Sequence, residues 1–323
     1  MPCISVIIPV YNAEKYIKNT LLSVQNQTLT DIEIIVVNDG SEDSSLSICQ
    51  SAEINDSRIK ILNQKNQGVS AARNIGKKIA TGEYTIFIDA DDEMNENMLE
   101  QLYINAIRFN ADISICAVKR IDGDKLPDRK TDILKFSEIK PNVALHLLML
   151  GKKIESGVWN KLFKSSLIQS IDFVVGKRIN EDKFFLFNAL CKAQKIIFTN
   201  TELYYYYNRE NSVTNLFFLE QWFDSLYFAD CMYSIIVDNY KSLEPSARFQ
   251  LIQTYYSVLR RLYPYDKKYM EEIEKIISTI KKINLNGIHK YLSNKQLFGI
   301  LLIKYFTPGY RCLRAISNRV EKN

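Results

Sequence analysis

The chain has 323 residues, 46% of them apolar and 24% charged, which is room for about two domains at roughly 100–200 residues each and a composition that excludes a disordered, collagen-like or coiled-coil chain. Its net charge of +5 is uneven: residues 260–323 hold 14 Lys or Arg against 5 Asp or Glu, a balance of +9, which leaves −4 on the remainder. Six dispersed cysteines without a CxxC pair and two isolated histidines, His146 and His289, exclude a disulfide framework, a structural zinc site and a histidine triad, so any metal must be held by oxygen ligands.

The elements follow in chain order. Ile4 to Val10, Ile32 to Asn38, Ile59 to Leu62, Tyr84 to Ile88 and Ile113 to Val118 are short, β-branched and bounded by polar turns, so they read as buried strands. Helices are predicted between them: Ile17, Leu21 and Val24 mark one apolar face, and Val69, Ala72, Ile75, Gly76 and Ile79 another, with Gly82 in a C-cap position. Lys119 to Lys135, with Gly123 and Pro127, reads as a loop or hairpin. A helix near Asn142 to Leu150, the Trp159 segment, a helix near Asp182 to Ala193 and β-like runs at Ile196 to Phe198 and Leu203 to Tyr207 follow. The tyrosines at 204 to 207 read as a plain sheet strand. Beyond about residue 215 the pattern is helical, in Gln221 to Tyr240, Ser246 to Leu262 and Lys268 to Ile283. The expectation is an α/β domain over residues 1–214, a mostly parallel sheet covered by helices, followed by a basic helical module over 215–323. Gln296 to Ile303 is far shorter than the roughly 18 apolar residues of a membrane span. Ile4 to Val10 has neither the basic flank nor the cleavage site of a signal peptide, so a cytoplasmic chain is expected.

In such a sheet, ligands gather beyond the carboxyl ends of the strands. Asp39 sits there in Asn38-Asp39-Gly40-Ser41, and so does Asp89-Ala90-Asp91-Asp92. Asp39 alone is compatible with ordinary turn chemistry. Three carboxylates crowded together repel one another unless a cation or donors neutralise them. In an extended Asp-x-Asp, residues two apart share a side, so Asp89 and Asp91 are expected to hold one hard cation, Mn2+ or Mg2+, whose remaining positions go to water and phosphate. Arg73 could add positive charge to the same mouth or simply face solvent.

The opening Ser5-Val6-Ile7-Ile8-Pro9-Val10-Tyr11-Asn12, then Asn38-Asp39-Gly40-Ser41, Asn66-Gln67-Gly68-Val69-Ser70-Ala71-Ala72-Arg73-Asn74 and Asp89-Ala90-Asp91-Asp92 together resemble the family 2 glycosyltransferases of the GT-A fold, in order and spacing, which implies a Rossmann-like mixed sheet flanked by helices, with the helical module after it. The resemblance continues more loosely in Trp159-Asn160-Lys161-Leu162-Phe163, Glu181-Asp182, and Tyr205-Tyr206-Tyr207-Asn208-Arg209 with Ser212, and fades after about residue 215. It implies a nucleotide-diphosphate sugar donor, UDP-sugars foremost, with Pro9, Tyr11, Glu14 and Asp39 around the nucleoside and Asp89 at the ribose. It also implies a metal on Asp91, Arg73 at the nucleotide end, and Arg209 with Ser212 closing over the diphosphate. Relatives of this kind mostly invert the anomeric centre, which calls for a base on the acceptor hydroxyl.

Asp182, at a helix start that favours its ionised form, is the candidate base, although the same position suits any helix-start acid. Trp159 and Glu181 are expected on the acceptor side, with core packing the other reading of Trp159. The acceptor class expected is a glycan or lipid-linked glycan, in bacterial surface polysaccharide or lipopolysaccharide assembly. The basic tail suits either a solvated helical face or a peripheral contact with the anionic inner face of the cell membrane. No nucleic-acid motif accompanies its charge. A haloacid-dehalogenase-type phosphatase fits poorly, since Glu93 stands four residues after the first Asp, and a dinucleotide enzyme lacks its Gly-x-Gly-x-x-Gly after the first strand. A non-catalytic nucleotide-sugar-binding relative stays open.

Overall fold

The computed structural model describes residues 1–123, 136–208, 220–262 and 267–320. They fall into two compact units, Met1–Ala144 with Glu155–Asn215 and Leu145–Ile154 with Leu216–Asn323.

The first unit opens with β1 (Ile4–Val10), α1 (Ile17–Gln25), β2 (Ile32–Asn38), α2 (Ser45–Asn55), β3 (Ile59–Asn63), α3 (Val69–Ile79) and β4 (Tyr84–Phe87). The strands pair in parallel in the order β3-β2-β1-β4. β1 and β2 are buried along their whole length, which is why both are unbroken β-branched runs rather than alternating ones. Then come β5 (Glu93–Met94), α4 (Met98–Phe109), β6 (Ile113–Asp122), β7 (Phe136–Ile139), α5 (Pro141–Leu150), whose residues from Leu145 on belong to the second unit, β8 (Lys161–Lys164), α6 (Ser165–Ile168), α7 (Glu181–Lys192) and β9 (Ile196–Asn208).

One nine-stranded sheet results, ordered β3-β2-β1-β4-β8-β6-β9-β5 with β7 on β9. β8 runs antiparallel between β4 and β6, and β5 and β7 run antiparallel to β9. The sheet is mixed, as the GT-A resemblance implies; its antiparallel strands are what the βαβα order by itself, which reads as mostly parallel, does not show. Short strands such as β5 and β8 gain their place from partners distant in sequence, which local pattern does not reveal.

Three local expectations change as well. Helix α3 ends at Ala80, whose N–H reaches Gly76 O, so Gly82 is not its C-cap. A Cβ on Gly82 would lie 2.5 Å from Ser5 N, and Gly82 N–H donates to Ser5 Oγ at 2.8 Å. Its smallness lets the chain pass close to β1 before β4 begins. Lys119 to Asp122, expected in a loop, extend β6 because Tyr205 to Asn208 pair with them; residues 124–135, Pro127 included, lie outside the described residues. The separate runs at 196–198 and 203–207 are one strand, β9, matched by register shifts along β6 between Ile115 and Val118.

The core of this unit joins β1, β2 and β4 to α1 and α4 through residues such as Ile8, Leu21, Val36, Ile86 and Leu102. A separate aromatic group centres on Phe87, Phe163, Phe173 and Phe185, with Phe173 and Phe185 stacked at 4.0 Å.

The second unit contains α8 (Trp222–Asn239), α9 (Glu244–Leu262), α10 (Met270–Lys282), α11 (Asn294–Tyr305) and α12 (Thr307–Val320). The predicted helices over 221–240, 246–262 and 268–283 match α8, α9 and α10 to within two residues at each end. In α10, Ile273, Ile276, Ile277 and Ile280 form one buried stripe, with acids in the first turn and lysines in the last, as the helix dipole favours. Ser293 and Gln296 close a capping box at the start of α11. No described helix is long and apolar enough to cross a membrane.

Candidate functional site

Neighbouring parallel strands deliver the predicted acids to one end of the sheet. β2 and β4 flank β1; Asp39 follows β2 and Asp89 follows β4. The Asp39 carboxylate, 3% exposed, accepts from Gln64 Nε2 at 2.5 Å, Gln67 N–H at 2.9 Å and Gly68 N–H at 2.8 Å. It thereby holds the turn that launches α3. Gly40 makes this approach feasible: its φ is +73°, and a Cβ there would sit 2.8 Å from Asn66 N. Glu14 accepts from Ser44 N–H at 3.0 Å and so serves the start of α2. Pro9 is buried within β1, whereas Tyr11, just beyond it, is 49% exposed.

The Asp89-Ala90-Asp91-Asp92 segment is not extended, which corrects the geometric argument made for it. Asp92 N–H reaches back to Asp89 O at 3.3 Å, closing a turn. Asp89 and Asp91 are partly exposed and Asp92 is buried. Asp92 accepts from Tyr204 OH at 2.7 Å and Tyr207 N–H at 3.0 Å. Burial, then the charges of Asp91 and Asp89, push its pKa well above the usual carboxylate range. The tyrosine run proves to be more than a strand: Asn95 Nδ2 donates to Tyr205 OH at 2.9 Å and Tyr207 OH to Glu93 at 3.0 Å. Three hydroxyls on β9 thus fasten the end of the acidic turn and the residues that follow it.

Arg73, on α3, does not face solvent. Its side chain is 5% exposed, and its guanidinium lies 2.8 Å from Asp89 Oδ1 and 3.3 Å from Glu181 Oε1, with its carbon 5.2 Å from the centre of the Phe173 ring. Glu181 and Asp182 open α7 after Asn180, which sits at φ +70°. Burial, with the adjacent Asp182 charge and against the pull of Arg73, raises the Glu181 pKa to about 8. Burial likewise raises that of Asp182, aided by Asp89 and opposed by Arg73, the Lys183 N–H and Lys161. One buried guanidinium therefore links the acidic turn to the helix that carries the candidate base.

Trp159 is 6% exposed and stacks on Tyr204 at 4.5 Å and Tyr206 at 5.5 Å, so it forms part of the core. Beneath it lies Lys161, for which the sequence suggests no role. It is fully buried, and its Nζ donates to Gly157 O at 2.6 Å and Asn160 Oδ1 at 2.5 Å. Burial lowers its pKa to about 7, against the attraction of Glu155, Cys116 and Asp182. Its strand, Lys-Leu-Phe-Lys, has a lysine at each end, so residue type alone does not single it out. Arg209 and Ser212 lie outside the described residues.

Among the described residues, no three His, Cys, Asp or Glu side chains converge on one point as a metal cage. The donor set nevertheless suits a hard cation that takes one or two carboxylates and leaves its other positions to water and phosphate. The charges of Asp91 and Asp89, which after burial hold the Asp92 pKa up, are what such a cation would offset.

This mixed α/β sheet, with carboxylates gathered beyond adjacent strands, is a GT-A-type fold. The chain belongs to glycosyl transferase family 2, which its residues 5–178 match. It is 36% identical over 211 residues to the putative glycosyltransferase EpsH of Bacillus subtilis, covering 64% of this chain and 60% of that one. It is 31% identical over 237 residues to glycosyltransferase GlyG of Streptococcus pneumoniae, covering 68% and 75%. Of GlyA from the same organism it spans 33%.

The fold resembles that of S. aureus TarS 1-349, solved with UDP-GlcNAc, with a TM-score of 0.70 at 21% identity over 99% of this chain and 92% of that one. The mannosyltransferase PcManGT of Pyrobaculum calidifontis, solved with GDP-Man and Mn2+, gives a TM-score of 0.53 at 13% identity over 100% and 88%.

Proposed function

We propose that the protein is a glycosyltransferase that moves a sugar from a nucleotide-diphosphate donor, UDP-sugars foremost, to an acceptor hydroxyl by a single inverting displacement. The observation that carries this reading is the Asp89–Arg73–Glu181 chain of ion pairs, which ties the acidic turn to the start of α7, where Asp182 stands. In the proposed mechanism Tyr11 offers its exposed ring to the nucleobase, with Pro9, Glu14 and Asp39 shaping the loops around it. Asp89 takes the ribose side, and Arg209 and Ser212 close over the diphosphate. Asp91, with Asp89, would hold Mn2+ or Mg2+, which when bound supplies positive charge to the leaving diphosphate.

Asp182 takes the acceptor proton as the new bond forms. A pKa raised by burial makes it a stronger base than a solvated aspartate. Glu181 is engaged by the Arg73 guanidinium, which leaves the acceptor proton to its neighbour Asp182. Glu181 and Trp159 shape the acceptor side from behind.

The division of labour proposed is catalysis by residues 1–214 and acceptor or membrane association by 215–323. The acceptor class is a glycan or lipid-linked glycan in bacterial surface polysaccharide assembly, met at the anionic inner face of the cell membrane. The test is a panel of nucleotide sugars assayed for hydrolysis and transfer with Mn2+ or Mg2+. Turnover of at least one donor is expected, and UDP with Mn2+ should raise the melting temperature by more than UDP alone. Asp91→Asn should abolish that metal-dependent increment. Release of phosphate from simple phosphoesters, or no turnover of any donor, would overturn the reading.

A further inference from the structure

The second unit carries an apolar surface that its own core leaves open. Phe298 is 56% exposed, Leu301 37% and Tyr305 79%, all on α11; Phe306 follows at 60%, and Leu313 on α12 at 46%. Positions 298, 301 and 305 fall on one stripe at helical spacing. Across the same helix Gly299, Ile300 and Ile303 are buried against the unit's core. A helix in a globular unit needs one apolar face, and α11 has two.

The sequence that carries this stripe has charge of one sign. Residues 283–320 contain six Lys or Arg and no Asp or Glu. Three of these cations are engaged within the unit, Lys304 with Ile283 O at 2.8 Å, Arg311 with Glu274 and Arg314 with Arg260 O at 3.0 Å, whereas Lys290 and Lys295 are exposed. Two copies meeting through this segment would set exposed lysines against exposed lysines, with no acid of the segment to pair them. An anionic lipid surface satisfies both features together, since it takes apolar side chains at the headgroup boundary and attracts lysines beside them.

We infer that the outer face of α11, with Phe298, Leu301 and Tyr305 at its centre and Phe306 and Leu313 beside them, is an interfacial surface that lies on an anionic bilayer. The inference rests on the membrane-side reading given above and supplies its residues. Aromatic rings at the headgroup level anchor the unit, and Lys290 and Lys295 add an attraction that salt screens.

The experiment is co-sedimentation of the full chain with vesicles of phosphatidylcholine alone or mixed with phosphatidylglycerol. Binding is expected to the mixed vesicles only and to weaken with salt. Phe298→Ser combined with Tyr305→Ser should lower the partition about tenfold or more, and Lys290→Ser with Lys295→Ser about fivefold. Both variants should keep the wild-type melting temperature and UDP binding, which shows that they fold. No binding to mixed vesicles overturns the surface, as does equal, salt-insensitive binding to both kinds. Concentration-dependent self-association without vesicle binding, abolished by the Phe298 and Tyr305 changes, also overturns it, in favour of a second copy. Loss of the surface with turnover of a soluble acceptor intact leaves the transfer reading standing; vesicle binding without any donor turnover supports the surface and sinks that reading.

Discussion

The two units bury different things. In the sheet unit the buried residues include Glu33, Asp39, Arg73, Asp92, Lys161 and Glu181, whereas among the described residues of the helical unit the buried charged residue is Arg314. Each of the six has a named partner in its own unit. The helical unit does the reverse: its core is Ile, Leu and Tyr, and what it leaves exposed is aromatic. Burying charged groups is costly unless they are paired, so a unit that does so repeatedly, and brings Arg73 onto Asp89 and Glu181 beyond the ends of its strands, is organised for chemistry. A unit that exposes apolar rings is organised for contact.

The comparison breaks first at Arg73. Arg73→Met leaves Asp89 and Glu181 without their buried counter-charge, and should cost about 3–5 kcal/mol in urea unfolding. Arg314→Met removes a hydrogen bond to Arg260 O and should cost about 1.5–3 kcal/mol; an equal or larger loss there would erase the contrast. Ile300→Ala, in the apolar core, should cost about 2–4 kcal/mol without changing UDP affinity, measured by calorimetry. Tyr204→Phe deprives buried Asp92 of one of its two donors and should cost about 1–3 kcal/mol, with weaker UDP–Mn2+ binding as the additional readout.

The finest contrast is in pH. The folded pKa of Lys161 is about 7 against 10.5 when unfolded. Between those values the unfolded chain holds the extra proton, so this residue makes stability rise with pH across that window and contributes no slope below it. Subtracting the melting curves of Lys161→Met from those of the wild type should recover that rise. A flat difference from about pH 7 to 10.5 would show that the amine is not held in a desolvated site.

Much of the sheet could be read from residue types alone. β1 and β2 were delimited to the residue because fully buried strands are continuous apolar runs, and the tail helices because their buried stripes are regular. What escaped was non-local. β5, β8 and the union of the two runs in β9 exist through pairing with distant partners. The same holds for the site. Asp39, Asp89 and Asp182 stand at turns and helix starts that local pattern identifies, but Arg73 meets Glu181 across 108 positions. Neither that ion pair nor the tyrosine clamp on Asp92 leaves a trace in spacing. Lys161 looked like any surface lysine until β8 was seen to run through the middle of the sheet.

The central claim is that the start of α7 acts on a donor held at the acidic turn. Turnover of an accepted nucleotide sugar by Asp182→Asn, measured beside its affinity for UDP, tests this most directly. The account predicts that kcat falls by about 10²–10⁴-fold while UDP binds as tightly as to the wild type. Turnover equal to that of the wild type would contradict it.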